Sequence, residues 1–421
     1  MPLQTPFRLY PPEKFPSKLS ARAWLPDDFD EGLSLQFRRP IHTFLIKVAS
    51  LCNLNCSYCY VYRSPDDSWK RKPKFLDEDT ALRIAARIQE HVKAHKLDDV
   101  TVVFHGGEPL LLGLTAFRAL VDIFSLQVGC KIHWGMQSNG TLMDDAFIQF
   151  FIDRGFRIGL SLDGSREQND RQRFYHNGQG AFEDTASAIR RVTKYENWKQ
   201  VFGGVLVVVD VDNSPAEILA SLAELKIHSA NLVLRDGHHD EPPPKWMPEG
   251  RAYGAWLCEF FDLWYRDYSD IEVPYFEQII AMMLGGTSTA EEIGAQSVDL
   301  IVVDTNGDIE AVDTLKIVGR AATSLSMNVT THSFDEALTE PAIYSRLSGF
   351  AALCQTCRRC EYVDNCGGGY LPHRYSSANG FVNPSVYCAD LQMLFSHIKA
   401  SVFFSDSSRA ASAGQVRDCE A

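Results

Sequence analysis

Three cysteines near the start of the chain have a spacing suited to an iron–sulfur cluster. Cys52, Cys56 and Cys59 stand in the pattern CxxxCxxC within SLCNLNCSYCYVY. Three thiolates on so short a loop can each bind one iron of a four-iron cubane and leave the fourth iron open to another ligand. A zinc site is the alternative, although structural zinc usually takes four protein ligands. The spacing therefore favours a cluster with one open coordination position.

The triad and the turn after the next apolar segment resemble the radical SAM superfamily. In that family the amino and carboxylate groups of S-adenosylmethionine (SAM) chelate the open iron of a [4Fe-4S] cluster. Tyr58 matches an aromatic position that flanks adenine, and FHGGEPL is similar to the family's GGE motif. Gly106 and Gly107 would let the backbone approach a ligand, and Glu108 could accept a hydrogen bond from the ammonium. The resemblance implies a [4Fe-4S] cluster bound with SAM.

Further polar residues resemble positions that line the SAM pocket in this family. Gln137 and Asn139 lie in MQSNGT, and Ser161 and Asp163 lie in GLSLDG, each at the end of a predicted strand. Arg173, in NDRQRF, is similar to the arginine that meets the SAM carboxylate in the maturase branch. A solvated surface arginine is the alternative. The resemblance implies a SAM pocket built from successive strand ends.

A second group of cysteines lies near the C-terminus. CQTCRRCEYVDNC contains Cys354, Cys357, Cys360 and Cys366, and Cys388 follows. The last four of these five cysteines resemble the part of a SPASM domain that binds one auxiliary [4Fe-4S] cluster. Ligation by four cysteines leaves no open iron, which implies electron transfer or a structural role. A zinc ribbon is the alternative, and Cys354 can replace a ligand or simply lie nearby.

The C-terminal segment also departs from a complete SPASM domain, which carries seven cysteines for two auxiliary clusters. Tyr370 and Val312 stand where further cysteines would occur, so we expect one auxiliary cluster rather than two. Asp313 follows at a position where sulfatase-maturing relatives have a catalytic aspartate. The resemblance implies that Asp313 is a general base, and a solvated aspartate at a strand end is the alternative.

One stretch narrows the resemblance to a group of peptide maturases. CGGGYLPHRYSSANGFVNPSVYCADL resembles the Fxs-type radical SAM/SPASM enzymes, kin of the Xye and Grr types, which form three-residue cyclophanes in ribosomally made peptides. The implied reaction joins an aromatic side chain to the β-carbon of a nearby residue after hydrogen abstraction by a 5′-deoxyadenosyl radical. The alternatives are a sulfatase-type maturase and a thioether-forming enzyme. The implied partners are a precursor peptide and an external electron donor such as flavodoxin or ferredoxin.

Alternating apolar segments must position these residues. From residue 42 onward, strand-like runs alternate with amphipathic helical stretches, a pattern typical of parallel βα units. The predicted strands cover residues 42–49, 100–104, 131–137, 156–162, 202–209 and 227–234. Because eight units close a full barrel, six predict an α/β fold with a partial, laterally open (β/α)6 barrel. Asp77, Asp144 and Ser214 are predicted helix N-caps.

Composition divides the chain into four predicted parts. The segment DGHHDEPPPKWMP contains prolines that cannot continue a helix or a central strand, so we expect a domain boundary there. The predicted parts are an N-terminal extension (1–41), the partial barrel (42–236), a bridging helical segment (237–297) and a SPASM-like domain (298–421).

Charge and composition argue against several classes of protein. The 421 residues include 41 Lys and Arg against 54 Asp and Glu, a net charge of −13, and no basic block interrupts this balance. A nucleic-acid partner is therefore not expected. The N-terminus lacks the apolar stretch of a signal peptide, and no apolar run approaches membrane-spanning length. We expect a cytoplasmic enzyme without a membrane partner.

Overall fold

A nine-stranded sheet runs through the protein. The structure is a computed structural model that describes residues 18–30, 32, 39–248, 250–288, 290–295 and 297–403. Within these residues the strands follow the order β6-β5-β4-β3-β2-β1-β7-β8-β9. Their bounds are β1 Thr43–Ala49, β2 Asp99–Gly106, β3 Lys131–Ser138, β4 Phe156–Ser161, β5 Phe202–Val208, β6 Ala230–Val233, β7 Leu300–Val303, β8 Asp308–Glu310 and β9 Ser324–Asn328. The first seven strands pair in parallel, and β8 and β9 are antiparallel to their neighbours.

The six strands expected from the sequence correspond to β1–β6, and the predicted mixed α/β fold with a parallel sheet is confirmed. The last strand is shorter than predicted. Lys226 has a left-handed backbone (φ 56°), and the N–H of Ile227 bonds to the carbonyl of Leu222, 2.9 Å away. The chain is therefore still leaving the preceding helix where the sequence pattern already indicates a strand.

Helices follow most of the parallel strands. Their bounds are α1 Glu78–His95, α2 Leu114–Gln127, α3 Asp145–Arg154, α4 Arg166–Gln172, α5 Phe182–Val192, α6 Trp198–Val201, α7 Pro215–Glu224, α8 Ala252–Asp267, α9 Pro274–Met283, α10 Arg320–Thr323, α11 Phe334–Ala337, α12 Pro341–Leu347, α13 Gln355–Arg358, α14 Val363–Cys366 and α15 Cys388–Phe403. In the described part of the chain, none of these helices has the length and apolar character needed to span a bilayer.

Two of the three predicted helix N-caps make a side-chain capping hydrogen bond. The carboxylate of Asp77 accepts a hydrogen bond from the Thr80 N–H (2.7 Å), and that of Asp144 accepts one from the Phe147 N–H (2.9 Å). Both bonds satisfy donors that the first helical turn leaves free. Ser214 occupies the N-cap position of α7, but its side chain makes no capping hydrogen bond.

Aromatic side chains fill the layer between the sheet and helices α2 and α3. Phe104 of β2 packs against Phe117 of α2, with ring centroids 5.2 Å apart. Phe117 in turn contacts Phe151 of α3 (5.8 Å), and Trp134 of β3 stacks on Phe156 of β4 (5.3 Å). Close packing of such large side chains resists sliding of one strand past another. The carboxyl ends of β2–β4 consequently have fixed relative positions.

Strand β1 lies inside the sheet and pairs on both edges. Thr43 is in register with Thr101 on one side and with Leu300 on the other. The sheet therefore contains strands from both sides of residue 298, where the predicted C-terminal part begins. The four-part division stays a prediction. On the β2 side the register shifts between Lys47 and Ala49, immediately before the cysteine loop.

The C-terminal helix α15 packs closely along α8. The N–H of Gly254 donates to the Asp390 carboxylate (2.7 Å), and a Cβ on Gly254 would lie only 2.9 Å from the Asp390 backbone. Only a glycine permits this approach without displacement. Cys388 begins α15, so the contact between the two helices positions one of the predicted cluster ligands.

Candidate active site

The loop after β1 places the N-terminal cysteine triad on the wall of a cavity of about 300 Å³, which we call the main cavity. Two backbone hydrogen bonds hold the loop against the end of α4 and the segment that follows it. The Asn55 N–H donates to the Phe174 carbonyl (2.7 Å), and the Ser57 N–H donates to the Gln172 carbonyl (2.9 Å). These bonds fix a segment that has no regular structure of its own.

The triad has the properties expected of ligands to a cationic metal cluster. Burial raises the pKa of Cys52 to about 12 and that of Cys59 to about 11. Burial also raises the pKa of Cys56, with the charge of Arg173 opposing it. A thiol must lose its proton to bind metal, and the positive charge of the metal drives that loss. The three free thiols therefore fit an iron–sulfur cluster.

Gly106 and Gly107 bring the end of β2 against the cysteine loop, and both line the main cavity. Gly106 has φ +149°, and a Cβ there would lie 2.2 Å from the Ala49 carbonyl oxygen. A Cβ on Gly107 would lie 2.3 Å from the Leu51 carbonyl oxygen. Any larger residue would push the loop away from the strand end.

Glu108 is fully buried behind this wall. Its carboxylate accepts hydrogen bonds from the Ser138 hydroxyl (2.7 Å), the Asn139 N–H (2.8 Å) and the Leu110 N–H (3.0 Å). Burial raises its pKa, and these donors oppose the rise. An ionised carboxylate has about four acceptor positions, so one position remains for a further donor. Glu108 consequently ties the ends of β2 and β3 together.

The predicted polar residues on β3 and β4 come together along the main cavity. The Gln137 side-chain amide donates to the Ser161 hydroxyl (3.0 Å). The Asn139 side-chain amide donates to the Asn53 side-chain oxygen (2.9 Å) and lies 3.8 Å from the Cys52 sulfur. These contacts connect the strand ends directly to the loop that carries the triad.

Tyr58, Asp163 and Arg173 form one hydrogen-bonded group. The Tyr58 hydroxyl donates to the Asp163 carboxylate (2.6 Å), and the Arg173 guanidinium donates to the Tyr58 oxygen (2.9 Å). Arg173 is only 6% exposed, so the alternative of a solvated surface arginine is wrong. Arg235 adds a guanidinium 4.9 Å from the centre of the Tyr58 ring. The Tyr58 ring therefore has a fixed position on the cavity wall.

Asp313 lies beyond the cavity lining, in the turn after β8, and is only 3% exposed. Its carboxylate accepts a hydrogen bond from the Tyr60 hydroxyl (3.0 Å), and Tyr60 itself lines the cavity. Burial alone would raise the pKa of Asp313, but Lys47 (3.6 Å) and His105 (3.7 Å) hold it below its usual value. Asp313 is thus an ionised carboxylate, and its role as a base stays a prediction.

Asp313 belongs to a larger buried network of charges between β1 and the β7–β8 hairpin. The ammonium of Lys47 lies 3.3 Å from the Glu310 carboxylate, and that of Lys316 lies 3.3 Å from Asp66. Burial opposes the charged form of Glu310, but the nearby lysines hold its pKa far below the usual range. Ion pairs so deeply buried are costly to leave half-formed.

The C-terminal cysteines lie around a separate space of about 40 Å³. It is lined by the four predicted auxiliary-cluster ligands, Cys357, Cys360, Cys366 and Cys388. Cys354 is buried beside this space, and a hydrogen bond with the Cys357 thiol lowers its pKa. The four predicted ligands thus share one small enclosure, and Cys354 adjoins it.

The two residues that replace expected cysteines are both buried. Val312 is 4% exposed and precedes Asp313. The Tyr370 hydroxyl is hydrogen-bonded to Thr314, and both residues line the main cavity. A polar pair therefore occupies the cavity wall near the position where the resemblance would place another cysteine.

Several residues that line the main cavity were not predicted as site residues from the sequence. They are Tyr60, Arg235, Glu292, Thr314 and the hydroxyl of Tyr370. Tyr60 directly follows the last cysteine of the triad, a position that could have drawn attention to it. Nothing in the local sequence distinguishes Glu292, because it lies far along the chain from every other lining residue except Thr314.

Comparison with known proteins identifies the first half of this site. Residues 46–223 match the family model of the Radical SAM superfamily. This part of the chain is therefore similar to a radical SAM domain, and we call residues 46–223 the radical SAM domain. The matched residues include the cysteine triad, both glycines of the GGE motif and strands β2–β5.

Related proteins are similar to this chain over a region longer than the radical SAM domain. The chain is 24% identical over 388 residues to a serine-type anaerobic sulfatase-maturating enzyme of Bacteroides thetaiotaomicron, covering 86% of this chain and 90% of that protein. It is 23% identical over 368 residues to a cysteine-type anaerobic sulfatase-maturating enzyme of Clostridium perfringens, covering 85% and 96%. The similarity therefore extends beyond residues 46–223 into the C-terminal half of the chain.

Solved structures share the fold. Native anSMEcpe with bound AdoMet superposes with a TM-score of 0.71 at 22% identity, covering 89% of this chain and 100% of that one. Streptococcus suis SuiB bound to the precursor peptide SuiA has a TM-score of 0.57 at 13% identity, covering 85% and 78%. The radical SAM domain and the region after it thus follow a known arrangement.

Proposed function

We propose that this protein is a radical SAM maturase that oxidises a residue within a peptide or protein substrate. The observation that carries the proposal is the composition of the main cavity. The cysteine triad lines this cavity, and four further lining residues carry a hydroxyl or carboxyl group: Tyr60, Thr314, Tyr370 and Glu292. A cavity of about 300 Å³ lies at the lower end of the usual range for ligand sites, about 300 to 1,000 Å³.

The chain's own residues fit the proposed cofactors. Cys52, Cys56 and Cys59 would hold a [4Fe-4S] cluster, and Gly106, Gly107, Gln137, Asn139, Ser161 and Arg173 would surround SAM. Together the bound cluster and SAM would supply a 5′-deoxyadenosyl radical for hydrogen abstraction. Tyr58 would stack beside adenine, oriented by Asp163 and Arg173. Glu108 would support this pocket from behind and offer its remaining acceptor position to the SAM ammonium.

The reaction we favour is the sulfatase-maturase type, in which a serine or cysteine side chain is oxidised to an aldehyde. Both kinds of relative named above are sulfatase-maturating enzymes, and each match covers more than four-fifths of this chain. Asp313 lies one hydrogen bond from the cavity through Tyr60, consistent with an ionised group that orients this hydroxyl. The cyclophane reaction, expected first from the sequence, has less support from these comparisons.

One observation keeps the cyclophane reaction as a second candidate. Val312 and Tyr370 stand where a complete SPASM domain would have cysteines, so the cavity wall here differs from that pattern. Tyr370 offers an aromatic surface beside the cavity. Such a surface suits an aromatic substrate side chain, since aromatic rings pack favourably on one another.

We also propose that Cys357, Cys360, Cys366 and Cys388 bind one auxiliary [4Fe-4S] cluster. Their shared enclosure supports this assignment. Two cubanes would give about eight iron atoms per chain, whereas the triad alone would give about four. Iron and sulfide analysis of anaerobically reconstituted protein, compared with the Cys357→Ala/Cys366→Ala double variant, measures the difference. Equal iron in both proteins would remove the auxiliary cluster and favour a zinc site or empty thiols.

The reaction is tested with reduced, reconstituted enzyme, SAM and matched peptides. One peptide carries a central serine, a second carries cysteine there, and a third carries an aromatic residue two positions before an aliphatic one. Aldehyde capture by a hydroxylamine reagent identifies the sulfatase-type product. A peptide lighter by two hydrogens, with a ring-to-β-carbon bond by NMR, identifies a cyclophane. If no peptide stimulates 5′-deoxyadenosine formation, the maturase proposal is wrong.

A further inference from the structure

The segment between α9 and β7 carries a carboxylate into the main cavity. Glu292 lines this cavity together with Thr314 and Tyr370. It also borders a smaller space behind Tyr370, where Tyr275 and His373 are further lining residues. The side chain is partly accessible because the cavity reaches it, although it lies deep in the protein. A molecule in the main cavity could therefore contact this carboxylate.

The adjacent glutamate, Glu291, differs from Glu292 in its ion pairing. Glu291 forms an ion pair with Arg346, with nitrogen–oxygen distances of 2.8 and 3.0 Å. In the part of the chain that the structure describes, no lysine or arginine forms an ion pair with Glu292. An ionised carboxylate without a counter-charge is costly so far from bulk water. Burial without a counter-charge consequently favours the protonated form of Glu292.

Several titratable groups face Glu292 from its own segment and from neighbouring segments. Glu291 contributes negative charge from the same segment, Tyr275 and Tyr370 contribute neutral hydroxyls, and His373 lies across the smaller space. Among the described residues, the buried Tyr275 hydroxyl has no hydrogen-bond partner. Burial, followed by the charge of Glu291, raises the pKa of Glu292 to about 7, against the nearby backbone N–H groups. A group that titrates near neutrality can both accept and release protons under working conditions.

Asp313, unlike Glu292, lies close to positively charged side chains. Lys47, His105 and Lys316 hold its pKa below the usual value, and its carboxylate already accepts the Tyr60 hydroxyl. Basicity falls as the pKa falls, so a carboxylate stabilised by the ammonium groups of Lys47 and Lys316 is a weak proton acceptor. Asp313 is well placed to orient Tyr60. The task of accepting a proton is better suited to a carboxylate that is not stabilised by cations.

We propose that Glu292 is a catalytic residue, the proton acceptor for the substrate during its oxidation in the main cavity. This inference rests on the proposed function. For a serine substrate, transfer of a hydrogen atom from Cβ to the 5′-deoxyadenosyl radical would form 5′-deoxyadenosine and leave a carbon radical that bears the hydroxyl group. The hydroxyl O–H bond then breaks and its proton passes to the Glu292 carboxylate, forming a new O–H bond. One electron would pass to an iron–sulfur electron acceptor, and the carbon–oxygen bond would become the C=O of the aldehyde.

The first test separates proton transfer from hydrogen abstraction. In Glu292→Gln we expect 5′-deoxyadenosine formation to continue, while oxidised peptide falls by about 100-fold, the lower range for removal of a general base. Glu292→Asp should restore part of the product. Glu259→Gln, an exposed glutamate on α8, is the matched control and should leave both products unchanged. Product yield in the unaltered enzyme should rise with pH around pH 7, and Glu292→Gln should lose this rise.

The second test needs no turnover. Infrared difference spectra between about pH 6 and pH 8 should show one carboxyl group losing its proton, present in Glu259→Gln and missing in Glu292→Gln. Undiminished product in Glu292→Gln would overturn the inference, and so would parallel loss of product and 5′-deoxyadenosine in a folded, fully iron-loaded variant. Failure of the proposed function has a different signature, because the unaltered enzyme would then form no 5′-deoxyadenosine with any peptide.

Discussion

The two cysteine regions differ in what can reach them. The N-terminal triad borders a cavity of about 300 Å³, whereas the four C-terminal cysteines border a space of about 40 Å³. The second space is far below the 300 to 1,000 Å³ or so that organic ligands occupy. Of these two spaces, the one beside the triad is large enough for a substrate. In the proposed enzyme the C-terminal cysteines would contribute electron transfer or rigidity instead.

Single cysteine variants give the largest expected contrast between the regions. Cys56→Ala should lower 5′-deoxyadenosine formation by more than about 100-fold, beyond the loss caused by removing a supporting contact of a metal ligand. Cys366→Ala should retain measurable SAM cleavage, because that thiol does not line the main cavity. Chromatographic quantification of 5′-deoxyadenosine under reducing conditions makes the comparison. Equal abolition in two folded variants would mean that the regions do not act separately.

Charge removal tests how the radical SAM domain is joined to the β7–β8 hairpin. Glu310→Gln leaves Lys47, Lys72 and Lys316 with one carboxylate fewer, so the free energy of unfolding should fall by about 3 to 5 kcal/mol. Urea unfolding at pH 7 measures this change. Glu259→Gln is the exposed control, and a loss below about 1 kcal/mol would show that the network adds little.

The same variant has an expected acid dependence. Because the pKa of Glu310 is lowered in the folded protein, its stabilisation is present above the unfolded value, about 4.3. That stabilisation is lost as pH falls through the folded pKa. The unfolding free energies of the unaltered protein and Glu310→Gln should therefore converge as the pH falls below about 4. A difference that stays constant down to pH 2 would contradict this assignment.

An intermediate effect is expected at the support behind the triad. Glu108→Gln places an amide opposite the donors of Ser138, Asn139 and Leu110, so at least one buried donor loses its partner. The cost, about 1 to 3 kcal/mol, corresponds to roughly 5- to 150-fold weaker SAM binding if it falls on the pocket. Equilibrium dialysis with labelled SAM measures the affinity. Iron bound at the C-terminal cysteines should not change, and unchanged SAM affinity would assign Glu108 to folding alone.

The smallest expected effect concerns Arg235. Arg235→Lys keeps the charge but loses the flat guanidinium that lies 4.9 Å from the Tyr58 ring centre. Such a contact contributes about 0.5 to 1 kcal/mol at partly exposed sites, or roughly two- to fivefold in SAM affinity. The same dialysis measurement applies, with the exposed Arg266→Lys as control. Equal affinities for the two variants would show that Tyr58 is positioned without Arg235.

Local sequence signals predicted the radical SAM half well. The strands β1–β5 and the caps at Asp77 and Asp144 depend on residues close together in the chain, where periodicity and spacing carry information. The cysteine triad and GGE motif likewise depend on short spacings. The pairing of Lys47 with Asp313 escaped prediction, because it arises when β1 and the β7–β8 hairpin become neighbours.

The walls of the cavity were harder to predict for the same reason. Arg235, Glu292 and Thr314 come from different parts of the chain, and none of the three was itself part of a motif used for prediction. Arg173 also could not be distinguished from a surface arginine until its contact with Tyr58 was known. The predicted N-terminal extension lies largely outside the described residues.

The position of β1 between β2 and β7 has a consequence for biosynthesis. When the radical SAM domain leaves the ribosome, one edge of β1 has no partner until Leu300 and the residues after it have been made. During that interval Lys47 also lacks Glu310 and Asp313. An unpaired strand edge beside uncompensated charge invites association with other chains. A chain terminated after residue 223 would keep this edge of β1 open permanently, so we expect it to associate with other chains more readily than the 421-residue chain does.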